Sequence, residues 1–188
     1  MPQTTDDDVA ELHLAVCRRF GEAVRSAHGK WDHRSPCDEW DARAVLEHVI
    51  GFHDVLVLRP LGLKPNRPRE DPQVRWQLTY DSLTKALEKA IAPGRATPLD
   101  MHQLIPKLTR DVLVHTWDLA RAVGADDRLD PAWCELFYAD LPADLQALSP
   151  SGMFKAPFAV NDENNEIDVQ ARLLARLGRD PSWRSDSL

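Results

Sequence analysis

The sequence lacks most of the features that would announce a function. Its 188 residues hold three cysteines, Cys17, Cys37 and Cys134. They are odd in number, widely scattered and form no CxxC pair. Neither a disulfide framework nor a cysteine-based metal ribbon follows, and a reducing, cytoplasmic setting is the expectation. Excess positive charge is missing too: 30 Asp and Glu against 23 Lys and Arg leave a formal charge of −7. That balance argues against a nucleic-acid partner. No uncharged apolar run approaches the roughly 20 residues of a membrane span, so no membrane partner is expected. The opening MPQTTDDD is acidic where a secretory leader would be basic and then apolar. There is no GxSxG, no phosphate loop, no dinucleotide fingerprint, no internal repeat and no low-complexity tract.

What is present is a helical pattern in a chain of one-domain length, 43% hydrophobic and 28% charged, the balance of a folded protein. Val9, Leu12, Val16, Phe20 and Val24 recur at helical spacing from about Thr5 to His28, behind a Thr5 cap and three aspartates that suit a helix N-terminus. A second helix is expected from Asp41 to just before Pro60, with Val45, His48 or Val49, Phe52 and Leu56 on its stripe. The four prolines of RPLGLKPNRPREDP (59–72) mark a long connection or crossover. A third helix is expected from Pro72 to Ile91, burying Val74, Leu78, Leu83, Leu87 and Ala90. A fourth runs from about Asp100 to Val123 and stops at Gly124. A fifth spans Pro131 to Leu145. Phe154 to Val160 reads as a short strand or irregular tail, and Ile167 to Leu177 as a last amphipathic helix. The expectation is an all-α, single domain over 1–188. A four-helix bundle would cover about 5–146, with a crossover connection and a packed C-terminal extension over about 150–188.

Few ionisable residues fall on apolar stripes. Asp111 and His115 lie at i and i+4 in DVLVHTWDLA, only ~40° apart around the helix. Asp118 returns to within ~20° of Asp111, giving a polar stripe beside Leu104, Leu108, Val112 and Leu119. A partly buried carboxylate there needs a cation, an arginine or a metal to balance it. His48 raises the same question on the second helix. Two histidines and a carboxylate at one depth in a bundle would leave coordination positions open on a divalent metal. The plain alternative is an ordinary helix-surface ion pair. His13, His28, His33, His53 and His102 are read as solvated, and His53, about 140° round from His48, as a poor co-ligand. Cys37, ahead of a helix N-terminus, sits where a thiol pKa is lowered, but no base is fixed beside it. Arg59, Arg67 and Arg69 are read as solvated, and the tryptophans as packing anchors.

These motifs carry a family resemblance. SPCDEWDARAVLEHVIGFH (35–53) resembles the (T/S)PC-x-x-W-(T/S)-x-x-x-(L/V)-x-x-H segment of the DinB-like superfamily, in its actinobacterial mycothiol-dependent maleylpyruvate isomerase N-terminal branch. DVLVHTWDLARAVGADDRLD (111–130) resembles that family's acid-x-x-x-His-x-x-Asp-Leu-Ala-Arg-Ala-x-Gly helix. LLARLGRDPSW (173–183) resembles the Gly-Arg-Asp-Pro-x-Trp close of a single-domain, metal-binding subgroup. The resemblance implies a DinB-like four-helix bundle holding a divalent metal, zinc or nickel, on His48, Asp111 and His115. Asp118 would then orient a ligand histidine. It also implies a small-molecule substrate or thiol, with mycothiol as cosubstrate. Two departures stand: the isomerase's further C-terminal domain has no room here, and Asp111 replaces a longer Glu. Maleylpyruvate isomerisation is therefore not assigned. The leading expectation is a metal-dependent enzyme using a low-molecular-weight thiol, of transferase or isomerase type. A metal-activated hydrolase with Asp118 as base is one rival. The other is a non-enzymatic small-molecule-binding module, its metal structural or absent. The sequence carries no signature of oligomeric state, a homodimer included.

Overall fold

The computed structural model describes residues 4–94, 96–143, 156–158 and 168–185. Each helix starts where a side chain can take up free backbone N–H groups. Helix α1 (Asp6–Ser26) opens on a reciprocal capping box: Thr5 Oγ1 accepts from Asp8 N at 3.2 Å while Asp8 Oδ2 accepts from Thr5 N at 2.8 Å. Helix α2 (Ala42–His53) is capped by Asp41, and α3 (Pro72–Ala90) by Asp71 with Pro72 in its first turn. Helix α4 (Leu104–Val123) ends on Gly124, whose φ of 68° supplies the left-handed turn that closes it. Helices α5 (Pro131–Ala139) and α6 (Val169–Arg176) follow, capped by Asp130 and Asp168. No strand occurs among the described residues, and none of their helices is long and apolar enough to cross a membrane.

The first four helices form the bundle. Helix α1 packs on α3 and α4, and α2 also packs on α3 and α4, so the consecutive pair α1 and α2 face each other across the diagonal. The crossover expected at the proline-rich 59–72 connection lies elsewhere: that connection joins the packed neighbours α2 and α3, and the diagonal step falls between α1 and α2. Helices α5 and α6 pack on one another. The central element is α4, where every residue from Leu108 to Ala120 is buried. Its polar side chains must therefore find partners inside the protein. Thr116 donates to Val112 O at 2.8 Å and Thr109 to Ile105 O at 2.7 Å.

Several boundaries differ from the sequence expectation. Helix α4 begins at Leu104 rather than Asp100, because Asp100 Oδ1 accepts from His102 N and Gln103 N and holds those residues in a turn. Helix α2 passes at His53 into a π-helical turn, Asp54–Leu58. Helix α5 stops at Ala139, and Leu145 lies outside the described residues. So do most of 154–160 and Ile167, the expected start of α6. Val74, expected in the core, is 41% exposed. The buried face of α3 is turned toward Trp76, Thr79 and Leu83 instead.

Trp76 meets Phe20 edge-on, with ring centroids 4.7 Å apart, and fits over Gly21 of α1. A Cβ at Gly21 would stand 2.9 Å from Trp76 Nε1. Alanine in a helix normally gains about 1 kcal/mol over glycine. Here overpacking of about 1–3 kcal/mol opposes that gain. Gly21→Ala is expected to lower stability by about 1 kcal/mol in urea unfolding. A rise in the unfolding midpoint would show that the α1–α3 contact yields.

Candidate metal centre

The candidate centre lies where α2 faces α4. The two helices bring together His48, Asp111 and His115, with one ligand-type atom of each within 4.8 Å of the others. His48 Nε2 stands 3.5 Å from Asp111 Oδ2, and His115 Nε2 stands 3.5 Å from Asp111 Oδ1. Both separations are too long for good hydrogen bonds. His48 Nε2 and both Asp111 oxygens are accordingly buried without a hydrogen-bond partner. Asp111 and His115 are almost fully enclosed, while the His48 side chain keeps 14% exposure. The approach to the centre is therefore from the His48 side, past the half-buried rings of Trp40 and Phe52. Trp40 lies 4.7 Å from the His48 ring and 5.9 Å from His115, and Phe52 lies 4.4 Å from His48.

The other face of His115 is tied down. Its Nδ1 donates to Asp118 Oδ2 at 2.8 Å. Asp118, fully buried, also accepts from Arg179 Nη2 at 2.9 Å and Nε at 3.3 Å, and from the Cys37 thiol at 3.1 Å. Nε2 of His115 is thereby aimed at Asp111. Electrostatics follow the geometry. Burial alone would raise the Asp111 pKa, but His115 and His48 outweigh it and hold the carboxyl below its usual range. Burial of Asp118 is likewise overcome by Arg179 and His115. Burial would lower the His115 pKa, and the Asp111 and Asp118 carboxylates reverse that and raise it.

Several expectations need correction. His13 and His53, read as solvated, are fully buried; they sit beside Cys17 in a cluster of their own. Burial is the largest cause holding both imidazoles neutral, with His53 lowered to about 4. The apolar stripe of α1 runs through Val9, Val16 and Phe20, and His13 lies among them, facing His53 of α2 across the bundle's diagonal. His33 is partly buried and bonds Ala122 O at 3.2 Å. His28 and His102 are exposed, as expected. Arg67, also expected in solvent, makes a two-pronged bond to Asp54 at 2.9 and 2.6 Å. Cys37 precedes α2 by five residues rather than capping it, so no helix dipole acts on its thiol. Burial and Asp118 push its pKa up, against the weaker pull of His115 and Arg179. Arg179 is the residue that spacing arguments missed: only its place in the GRDPSW close hinted at a role, and 61 residues separate it from Asp118.

The sequence profile of the mycothiol maleylpyruvate isomerase N-terminal domain matches residues 13–120. The chain belongs to that family. The match takes in His48, Asp111, His115 and Asp118, and stops before α5, α6 and Arg179. The fold is accordingly that of a DinB-like helical domain. Two uncharacterized proteins of Mycobacterium tuberculosis, from strains CDC 1551 / Oshkosh and ATCC 25618 / H37Rv, are each 31% identical over a 105-residue alignment. That alignment covers 52% of this chain and 57% of theirs, so the chain spans less than two thirds of these relatives. No solved structure matches the chain significantly.

Breaking the buried Asp118–Arg179 pair on one side leaves a fully buried carboxylate held by His115 and Cys37 alone. Arg179→Met is expected to cost about 3–5 kcal/mol in urea unfolding, and Asp118→Asn combined with it to recover part of that loss. A cost below about 1 kcal/mol would mean that the pair behaves as a surface ion pair.

Proposed function

We propose that His48, Asp111 and His115 hold a divalent metal ion, zinc or nickel, and that the protein is a metal-dependent enzyme acting with a low-molecular-weight thiol such as mycothiol. The observation that carries the reading is the set of buried polar atoms without partners: His48 Nε2 and both oxygens of Asp111. Leaving a buried carboxylate without hydrogen bonds is expensive, and a cation bound by these atoms would remove that cost. One carboxylate and two imidazoles suit a catalytic ion, because three protein ligands leave positions for water or substrate. When bound, such an ion lowers the pKa of a coordinated thiol and so supplies a thiolate nucleophile.

The chain's own residues divide the remaining work. Asp118 fixes the His115 ring through Nδ1, and Arg179 fixes Asp118. Trp40 and Phe52 line the approach beside His48 and keep bulk water from the ligands. The thiol, transferase or isomerase side of the reading is supported by the family alone, and the family supports metal binding as well. The cytoplasmic setting is supported by three free cysteines. A hydrolase would need Asp118 as its base, but that carboxylate is fully buried and already accepts from His115, Cys37 and Arg179. Nor does Asp118 approach as a fourth ligand beside Asp111, since it faces the opposite nitrogen of His115.

Elemental analysis of untagged protein is expected to find zinc or nickel bound at this centre, and His115→Ala to lose that ion while helicity persists. Conjugation of mycothiol to a chlorodinitrobenzene is then expected in the wild type and absent in His48→Ala. Metal without turnover would point to the binding module instead. Absence of metal under replete conditions would sink the reading.

A further inference from the structure

Three side chains meet in the bundle core apart from the Asp111 centre and take no part in it. His13 and Cys17 lie one turn apart on α1 and share a face, and His53 is the last residue of α2 before the π-helical turn. All three are fully buried. His13 Nε2 stands 3.1 Å from His53 Nε2, and Cys17 Sγ stands 3.6 and 3.9 Å from those two nitrogens. An ion bonded to nitrogen at about 2.0 Å and to sulfur at about 2.3 Å, with angles between tetrahedral and trigonal, spaces its donor atoms roughly 3.3–3.8 Å apart. The three observed edges lie close to that range.

The partners on the far sides of the rings assign the protons. His53 Nδ1 is 2.7 Å from Val49 O, a carbonyl that can only accept, so Nδ1 donates and Nε2 presents a lone pair. Thr109 donates its hydroxyl hydrogen to Ile105 O, so its oxygen accepts from His13 Nδ1 at 2.8 Å. His13 Nε2 therefore also presents a lone pair. Two lone pairs 3.1 Å apart repel each other unless a cation lies between them. Imidazoles that ligate metals are held in this way, by a hydrogen bond from the other nitrogen.

We propose that His13, Cys17 and His53 form a second metal site, separate from His48, Asp111 and His115, for one thiophilic closed-shell cation in a three-coordinate setting. The Cys17 S–H bond breaks, its proton passes to solvent, and the sulfur electron pair binds the metal. Soft thiolate favours Cu(I) or Zn(II) over hard cations. Charge selects between them. One Cu(I), one thiolate and two neutral rings sum to zero, the least costly outcome in a site closed to water. Zn(II) would leave one positive charge with no carboxylate among the ligands; Asp111 and Asp54 act on His53 only from outside the triangle, and Arg67 opposes them. Cu(I) is thus the expected occupant.

The test is anaerobic titration of the metal-free full chain with Cu(I) against a chromophoric Cu(I) chelator, the metal being added to folded protein and during refolding. Zn(II) is titrated in a parallel arm. Copper-edge X-ray absorption on the wild type should report one sulfur and two imidazole nitrogens. Cys17→Ala should weaken Cu(I) binding by at least about 100-fold while helicity is kept. Cys37→Ala and His48→Ala should leave it unchanged, which separates this site from the Asp111 centre. Zn(II) held in the same Cys17-dependent way, and more tightly than Cu(I), would support the site and overturn the charge-balance choice. Copper without a sulfur ligand, or equal uptake by Cys17→Ala, would overturn the site. So would failure of the wild type to bind either ion, leaving a hydrogen-bonded relay in which Thr109 turns its hydrogen to His13. The absorption measurement needs no variant, so the site remains testable if Cys17→Ala does not fold.

Discussion

Helix α4 is buried on every side for more than three turns, yet it carries Thr109, Arg110, Asp111, His115, Thr116 and Asp118 along that stretch. Polar groups in such a place must be matched inside the protein, and the rest of the structure is arranged around the matching. The two threonines turn back to their own helix. Asp118 draws in Arg179 from the far end of the chain, Cys37 from the loop before α2 and His115 from its own helix. Asp111 has neither oxygen in a hydrogen bond, with two imidazoles facing it from a distance too long to serve. A bundle that encloses a carboxylate in this way leaves its oxygens without hydrogen bonds, and a bound cation would supply the missing partner.

The two clusters that could hold metal differ in the same physical terms. The centre on α2 and α4 contains a carboxylate, is partly open beside His48, and is flanked by aromatic rings. The one joining α1 to α2 has no carboxylate, is closed, and combines two neutral rings with a thiol. Helix α2 serves both because His48 and His53 point in different directions from one short helix. Between them the buried face of α2 carries Val49 and Ile50.

The strained approach to α2 belongs with this picture. Glu39 adopts a φ of 66°, a left-handed conformation that costs a non-glycine residue free energy. The turn closes through Trp40 N donating to Cys37 O at 3.1 Å, and it sets Trp40 against His48 and Cys37 against Asp118. Local strain is thus offset by two contacts at the candidate centre. The C-terminal GRDPSW stretch has a similar place, since Arg179 also reaches Cys37 Sγ at 3.4 Å.

Sequence periodicity determined the helices, because caps and apolar stripes are local signals. Thr5, Asp41 and Gly124 each act where the pattern put them. The common azimuth of Asp111, His115 and Asp118 was legible for the same reason, being a property of one helix. The tertiary structure decided everything that depends on how helices face one another. It rotated α3 to bury Trp76 and expose Val74, and it turned His13 and His53 inward to meet across a diagonal. It brought Arg179 to Asp118 from 61 residues away. Helical spacing fixes direction around a single axis, whereas the packing of several axes decides which of those directions end inside.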